Sequence, residues 1–275
     1  MLHIVIAMLL VFQGQAGGRR PAAAAGEPPR PGELTPFERF VEKLELDEKQ
    51  LPEVGKIFTA GAAEAAPTGR EMIQARLRLV DLDGKPDDAA PVVAGLTAAA
   101  LKMTTIDVRT YQRVHALLVK GQQSKSAEAF LMMAGLLDVA TPRAGGRRGG
   151  GPGGGLTRME LLTAMFSLDG NAKKQVKSIL DADYKAAASA RDQWTATRTA
   201  IGTAIQSGKE PAAIEQAVTA HAPAASAVAV LEMKALAKIL AALTPEARAN
   251  TAAVQMAVYA LRGAFSGKKW DVAPE

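Results

Sequence analysis

Apolar residues recur along this chain at the three- and four-residue spacing of one helix face. Phe37, Phe40, Val41 and Leu44 form one stripe, and Leu51, Val54, Ile57 and Phe58 form another after a short break. The spacing predicts a short helix ending near Leu44, then a long one from Asp47 to Leu82 with a break near Pro67. Asp83-Gly84-Lys85-Pro86 is a turn. A third helix is expected over 89–119 on Val93, Leu96, Leu101, Ile106, Val114 and Leu117-Leu118, stopping at Lys120-Gly121. A fourth runs over 124–139 through Phe130, Leu131, Ala134 and Leu137.

Polar residues mark where these helices start. Thr35-Pro36-Phe37-Glu38 has an N-cap hydroxyl, proline at the first helical position and glutamate three residues after the cap. In Leu44-Glu45-Leu46-Asp47-Glu48-Lys49-Gln50, the Asp47 carboxylate can accept from first-turn N–H groups while Gln50 reaches back to the Asp47 N–H.

The pattern then repeats. A shift of 122 residues superposes Leu34 on Leu156, Thr35 on Thr157, Glu38 on Glu160, Leu46 on Leu168, Asp47 on Asp169, Val54 on Val176 and Ile57 on Ile179. Seven of the 25 positions from 34 to 58 are identical, which composition alone does not produce and an internal duplication does. The register continues at Arg76 and Arg198, slips at the middle turn, and is read again at Leu118 and Leu240. The second half therefore has helices expected over 157–166, 170–207, 210–242 and 245–264, the third kinked or broken by Pro223. Leu243-Thr244-Pro245-Glu246 starts the fourth. The expected fold is all-α: two tandem four-helix units, each a long antiparallel hairpin with short flanking helices. The second copy is the natural partner surface for the first, which makes a pseudo-dimer within one chain.

The ends and the joint have a different composition. Residues 4–12 are unbroken apolar sequence, too short to span a bilayer, preceded by His3 and no Lys or Arg. Gly14-Gln15-Ala16 follows, so 1–16 reads as a secretory signal peptide and the mature chain has no stable membrane span. Residues 17–33, rich in Pro, Ala, Gly and Arg, are expected to be a disordered lead-in, 142–155 a Gly/Arg-rich linker, and 266–275 a tail. The folded repeats are then 34–141 and 156–265.

Composition narrows the chemistry. Aromatic residues are 4% of the chain and alanine supplies much of the 48% that is hydrophobic, a balance suited to helices rather than sheets. There is no cysteine, hence no disulfide, thiolate nucleophile or Cys-ligated metal. The net charge of +5 divides unevenly: residues 34–141 carry 13 basic and 15 acidic side chains, residues 156–275 carry 14 and 11. No folded stretch concentrates basic residues as a nucleic-acid binder does, so no nucleic-acid partner is expected.

Of three histidines, His3 leaves with the signal peptide, and His115 and His221 do not occupy equivalent repeat positions. No H-E-x-x-H, P-loop or G-x-S-x-G occurs, so neither catalytic residues nor a cofactor are expected. Asp81, Asp83, Asp87 and Asp88 could attract a divalent cation weakly, though turn acids are ordinarily solvated. Met103 and Met132-Met133 suit a core or a client surface better than copper ligation.

Leu44-x-Leu46-Asp47-x-x-Gln50 resembles the L-x-L-T-x-x-Q signature of the Spy/CpxP-like periplasmic proteins, a group with heavy-metal resistance and sensor relatives. Leu243-Thr244-Pro245-Glu246-Ala247-Arg248 resembles its second occurrence, L-T-P-E-Q-R. Asp47 stands for the usual Thr and keeps the cap; Ala172 and Ala247 stand where Gln is expected. The resemblance implies an exported all-helical protein that binds unfolded or envelope proteins without ATP. A metal-binding resistance or sensor protein is the alternative, and a structural partner-binding module a third. Met72, Tyr184 and Trp194 are the candidate client contacts.

Overall fold

A computed structural model describes residues 36–82, 86–137 and 156–272. The expected signal peptide, lead-in, linker, Thr35 cap and Asp83 turn lie outside the described residues. Those residues form helices and no strand, as the alanine-rich periodicity requires.

The first half contains α1 (Pro36–Leu44), α2 (Gln50–Asp81), α3 (Pro86–His115), α4 (Lys120–Gln123) and α5 (Ser126–Met132). The second contains α6 (Arg158–Phe166), α7 (Gly170–Ala186), α8 (Ala188–Gln206), α9 (Pro211–Ala242), α10 (Pro245–Ala249) and α11 (Thr251–Leu261). In each half two long rods pack antiparallel: α2 against α3, and the α7–α8 rod against α9. Lys102 reaches Glu71 and Arg109 reaches Glu64 across the first hairpin; Lys238 reaches Asp183 across the second.

Three expectations about breaks are corrected. α2 runs unbroken through Pro67, and α9 runs unbroken through Pro223. Both prolines are exposed, as are Ala63 and Thr219 four residues before them, so water can serve the carbonyl that proline leaves without a donor. The interruption falls instead at Ala187, between α7 and α8, where ψ is 3°. Third, the chain beyond α11 is no free tail. Trp270 is 5% exposed, and the backbone N–H of Arg158 donates to the Val272 carbonyl.

The 122-residue register extends into backbone geometry. Glu45 and Ser167, 122 residues apart, are the two non-glycine residues with positive φ among the described residues, at 51° and 50°. Each closes a short helix and turns the chain into the cap of a long one. From the hairpin turn onward the shift is 125, not 122. Pro86 and Pro211 both open their helices, and Leu118 matches Leu243 rather than Leu240. After the fourth helix it is 128, for Gly135 and Gly263 share positive φ. The second half has three more residues before each of these two points, and they lengthen its helices rather than its turns.

Two hydrophobic cores result, and neither belongs to one half. The first gathers Phe40, Leu44, Val54, Tyr111, Val114 and Phe130, and is closed by Ile201, Ile205, Ile214 and Val218 from the tip of the second hairpin. The second gathers Leu162, Phe166, Val176, Leu180, Leu236 and Phe265, and is closed by Ile73, Leu79, Val80 and Leu96 from the tip of the first.

Candidate functional site

The seam between the hairpins carries two buried ion pairs. Arg76 Nη1 donates to Glu232 Oε2 at 2.6 Å, and Arg198 Nη2 donates to Asp107 Oδ2 at 3.0 Å. All four side chains are nearly inaccessible. Arg76 and Arg198 are related by the shift of 122, Asp107 and Glu232 by 125. The contacts are therefore reciprocal, as across a two-fold interface. Glu232 Oε1 also accepts the Phe265 N–H, and the Arg198 guanidinium lies 4.6 Å from the Phe130 ring centre.

His221 sits in this seam. Its Nδ1 is 2.9 Å from Thr197 Oγ1, and its ring is 5.8 Å from Trp194. The Thr197 hydroxyl has one proton and a carbonyl acceptor in Gln193, so His221 Nδ1 carries the hydrogen in the arrangement that satisfies both. Burial, reinforced by the Arg198 charge, pushes the His221 pKa down to about 3. A neutral, enclosed imidazole cannot act as a general base on an outside substrate. His115 is also held below the usual imidazole range by burial, and its Nε2 has no hydrogen-bond partner. Tyr111 is pushed up to about 12 by burial, with Ser126 opposing the shift.

The motif residues build an elbow. Asp47 Oδ1 accepts from the N–H groups of Lys49 and Gln50, each at 2.8 Å, and Gln50 Oε1 accepts the Asp47 N–H at 3.1 Å. Gln50 Nε2 donates to the Leu117 carbonyl, and the Gln50 and Gln122 amides lie 2.9 Å apart in both donor–acceptor senses. Gln122 completes the knot by donating to the Glu45 carbonyl and accepting the Val119 N–H. Leu44 and Leu46 are buried beneath it. In the second half Asp169 Oδ1 accepts from Asn171 and Ala172, and Thr244 Oγ1 from Ala247 N–H, while Pro245 opens α10 and Leu168 is half-buried. The Glu246 carboxylate is held low by its own backbone N–H and by Thr244. Ala172 and Ala247 occupy the positions of Gln50 and Gln122, so both members of the amide pair are replaced together.

The three candidate client contacts are half-buried and engaged within the molecule. Met72 and Trp194 pack on the second core. The Tyr184 hydroxyl donates to the Gly267 carbonyl, its ring meets Phe265 edge-on, and Arg191 lies 4.1 Å over it. Met133 is buried and Met103 packs on the first core. Asp81 and Asp88 are exposed, while the Asp83 and Asp87 side chains lie outside the described ones. Among the described residues no group of three or more His, Asp and Glu is placed to hold a metal ion.

A different surface stands open. Residues 89–101 of α3 contain no charge. The Asp88–His115 segment is long and apolar enough, by length and composition, to cross a membrane, with a mean hydropathy of 1.4 over its most apolar 18 residues. Here α3 packs on α2 and α9, yet only 28% of that window is buried. Ala90, Pro91, Ala94, Gly95, Ala98 and Leu101 face solvent, between exposed Asp88 at one end and the Lys102–Glu71 pair at the other. The equivalent positions of α9 carry Glu215, Gln216 and Thr219 where α3 carries Ala90, Pro91 and Ala94. α9 is more polar at these three positions, although its residues 216–231 also contain no Asp, Glu, Lys or Arg. The sequence signal of the α3 face is the charge-free run itself, which helical periodicity passes over because so many of the residues are alanine.

No family model matches this chain, and no curated protein or solved structure matches it either.

Proposed function

We propose that this chain is an exported, non-enzymatic helical protein that holds unfolded proteins without ATP, in the manner of the Spy/CpxP-like group. The observation that carries the reading is the uncharged, solvent-facing surface of α3 from Ala90 to Leu101, rimmed by Asp88, Lys102 and Glu71. A soluble protein gains nothing from leaving such a face open unless something apolar visits it. Small side chains let an extended or helical segment approach closely, and the charged rim keeps the empty face in solution. The interlocked hairpins hold α3 rigid behind that face, so client binding need not order the binder. The motif Leu44-x-Leu46-Asp47-x-x-Gln50, the apolar run at 4–12 and Gly14-Gln15-Ala16 support the family likeness and export.

The test is light scattering from a denatured client mixed with the protein at near-stoichiometric ratio. The wild-type chain should suppress aggregation, and an Ala94→Glu/Ala98→Glu variant should lose suppression while keeping its helical circular dichroism. No suppression by wild type, or equal suppression by the variant, would overturn the reading. Binding of a folded envelope protein to the same face, without suppression, would favour the structural-module alternative.

A further inference from the structure

The charge asymmetry between the halves resolves into one patch. Lys173, Lys174, Lys177 and Lys185 lie along the exposed side of α7, at spacings that keep them within one face. The segment after α11 crosses the same face. Tyr184 Oη donates to the Gly267 carbonyl at 2.9 Å, and Trp270 Nε1 donates to Asp181 Oδ1 at 2.8 Å. These two bonds pin 267–270 over the last turns of α7, which brings the segment with exposed Lys268 and Lys269 onto the helix that carries Lys177 and Lys185. Acids border the six lysines: Asp169 caps α7, and Asp181 gives one oxygen to the Trp270 indole and pairs the other with Lys177 at 2.5 Å. Asp271, next along the strap, accepts the Met159 N–H. The equivalent positions in the first half are Leu51, Pro52, Gly55 and Ala63, so the patch is an addition to the second half and no requirement of the repeat.

We infer that this lysine face docks the protein on an anionic lipid surface. The patch has the wrong parts for nucleic acid. The arginine beside it, Arg191, is committed to Tyr184, stacked 4.1 Å over the ring and donating to the Tyr184 carbonyl, and the aromatics are spent inside: Trp270 is buried and Tyr184 is half-buried. Flexible point charges spread over a convex helix and a strap suit a diffuse negative surface, where each lysine strengthens binding about fivefold.

The test is co-sedimentation of the full chain with vesicles of phosphatidylcholine and phosphatidylglycerol, against phosphatidylcholine alone. Binding should require the anionic lipid and fall steeply with added salt. Lys174→Gln/Lys185→Gln/Lys268→Gln/Lys269→Gln should weaken it by more than about tenfold. All four side chains are exposed, and an unchanged melting curve confirms the fold. Equal binding to neutral vesicles, an undiminished variant, or binding to a single-stranded oligonucleotide but not to vesicles would each overturn the inference. Aggregation suppression is read separately, so failure here leaves the chaperone reading standing, and the reverse.

Discussion

Arg76 on the first hairpin pairs with Glu232 on the second at 2.6 Å, and the pair is enclosed on all sides. Its counterpart, Arg198 with Asp107, repeats the arrangement with the halves exchanged. Removing one partner strands a buried charge. Glu232→Gln or Arg76→Met should cost about 3–5 kcal/mol in urea unfolding. Arg76→Met/Glu232→Leu together should recover most of that loss, because two apolar side chains leave no charge unpaired. A double variant no better than the singles would show that the Glu232–Phe265 bond, not the ion pair, holds the seam.

The Gln50–Gln122 knot predicts a coupled effect. Gln50→Ala leaves the buried Gln122 amide short of partners and should cost about 1–3 kcal/mol. Gln50→Ala/Gln122→Ala should cost less than the sum of the two singles, since the second half places Ala172 and Ala247 at the same two positions. A denaturant double-mutant cycle measures the coupling directly.

Two glycines mark close helix approaches. A Cβ on Gly202 would lie 2.7 Å from the Cα of Ala127, and one on Gly61 would lie 2.5 Å from Thr110 Oγ1. Alanine at either site gains helix propensity, worth up to about 1 kcal/mol, but overpacks the contact by about 1–3 kcal/mol. Gly202→Ala should be the more destabilising, because it meets backbone that cannot rotate away. Gly61→Ala should be rescued by Thr110→Ala. Thermal melts of the three variants decide it.

His221 makes stability depend on pH. Its folded pKa, about 3, lies below the ordinary 6.5, so the unfolded chain takes up a proton that the folded chain refuses. Stability is full above 6.5 and falls as the pH drops toward 3, with a limiting slope of about 1.4 kcal/mol per pH unit. Between 6.5 and 4.5 the lowered carboxylates Glu45, Glu128, Asp181 and Glu246 do not yet contribute, since their loss begins only at the unfolded carboxylate range. His221→Leu should flatten the slope in that window, leaving what His115, also lowered by burial, contributes. Leu96 occupies the equivalent position in the first half, so the seam already accommodates leucine there. Urea midpoints measured across the window test it.

Sequence by itself determined the all-helical character, the caps and the 122-residue register. Periodicity, Asp47, Asp169 and Thr244 are local signals, and local hydrogen bonds satisfy them wherever the helix lies. It also placed Arg76 and Arg198 in register, yet could not say what an arginine on an apolar face would meet. Only the tertiary structure supplied Glu232 and Asp107, which lie 156 and 91 residues from their partners. The same holds for Pro67 and Pro223. Proline breaks a helix only where the freed carbonyl has no alternative, and which side of a helix faces water is decided by packing. The tail expected after 265 became a strap because Trp270 finds Asp181 and Arg158 collects the carbonyls of Ala260, Arg262, Trp270 and Val272. Those are long-range pairings that no spacing within the chain encodes. The division of each core between both halves is the deepest such result: an apolar stripe declares that it must be covered, and only the folded molecule says by what.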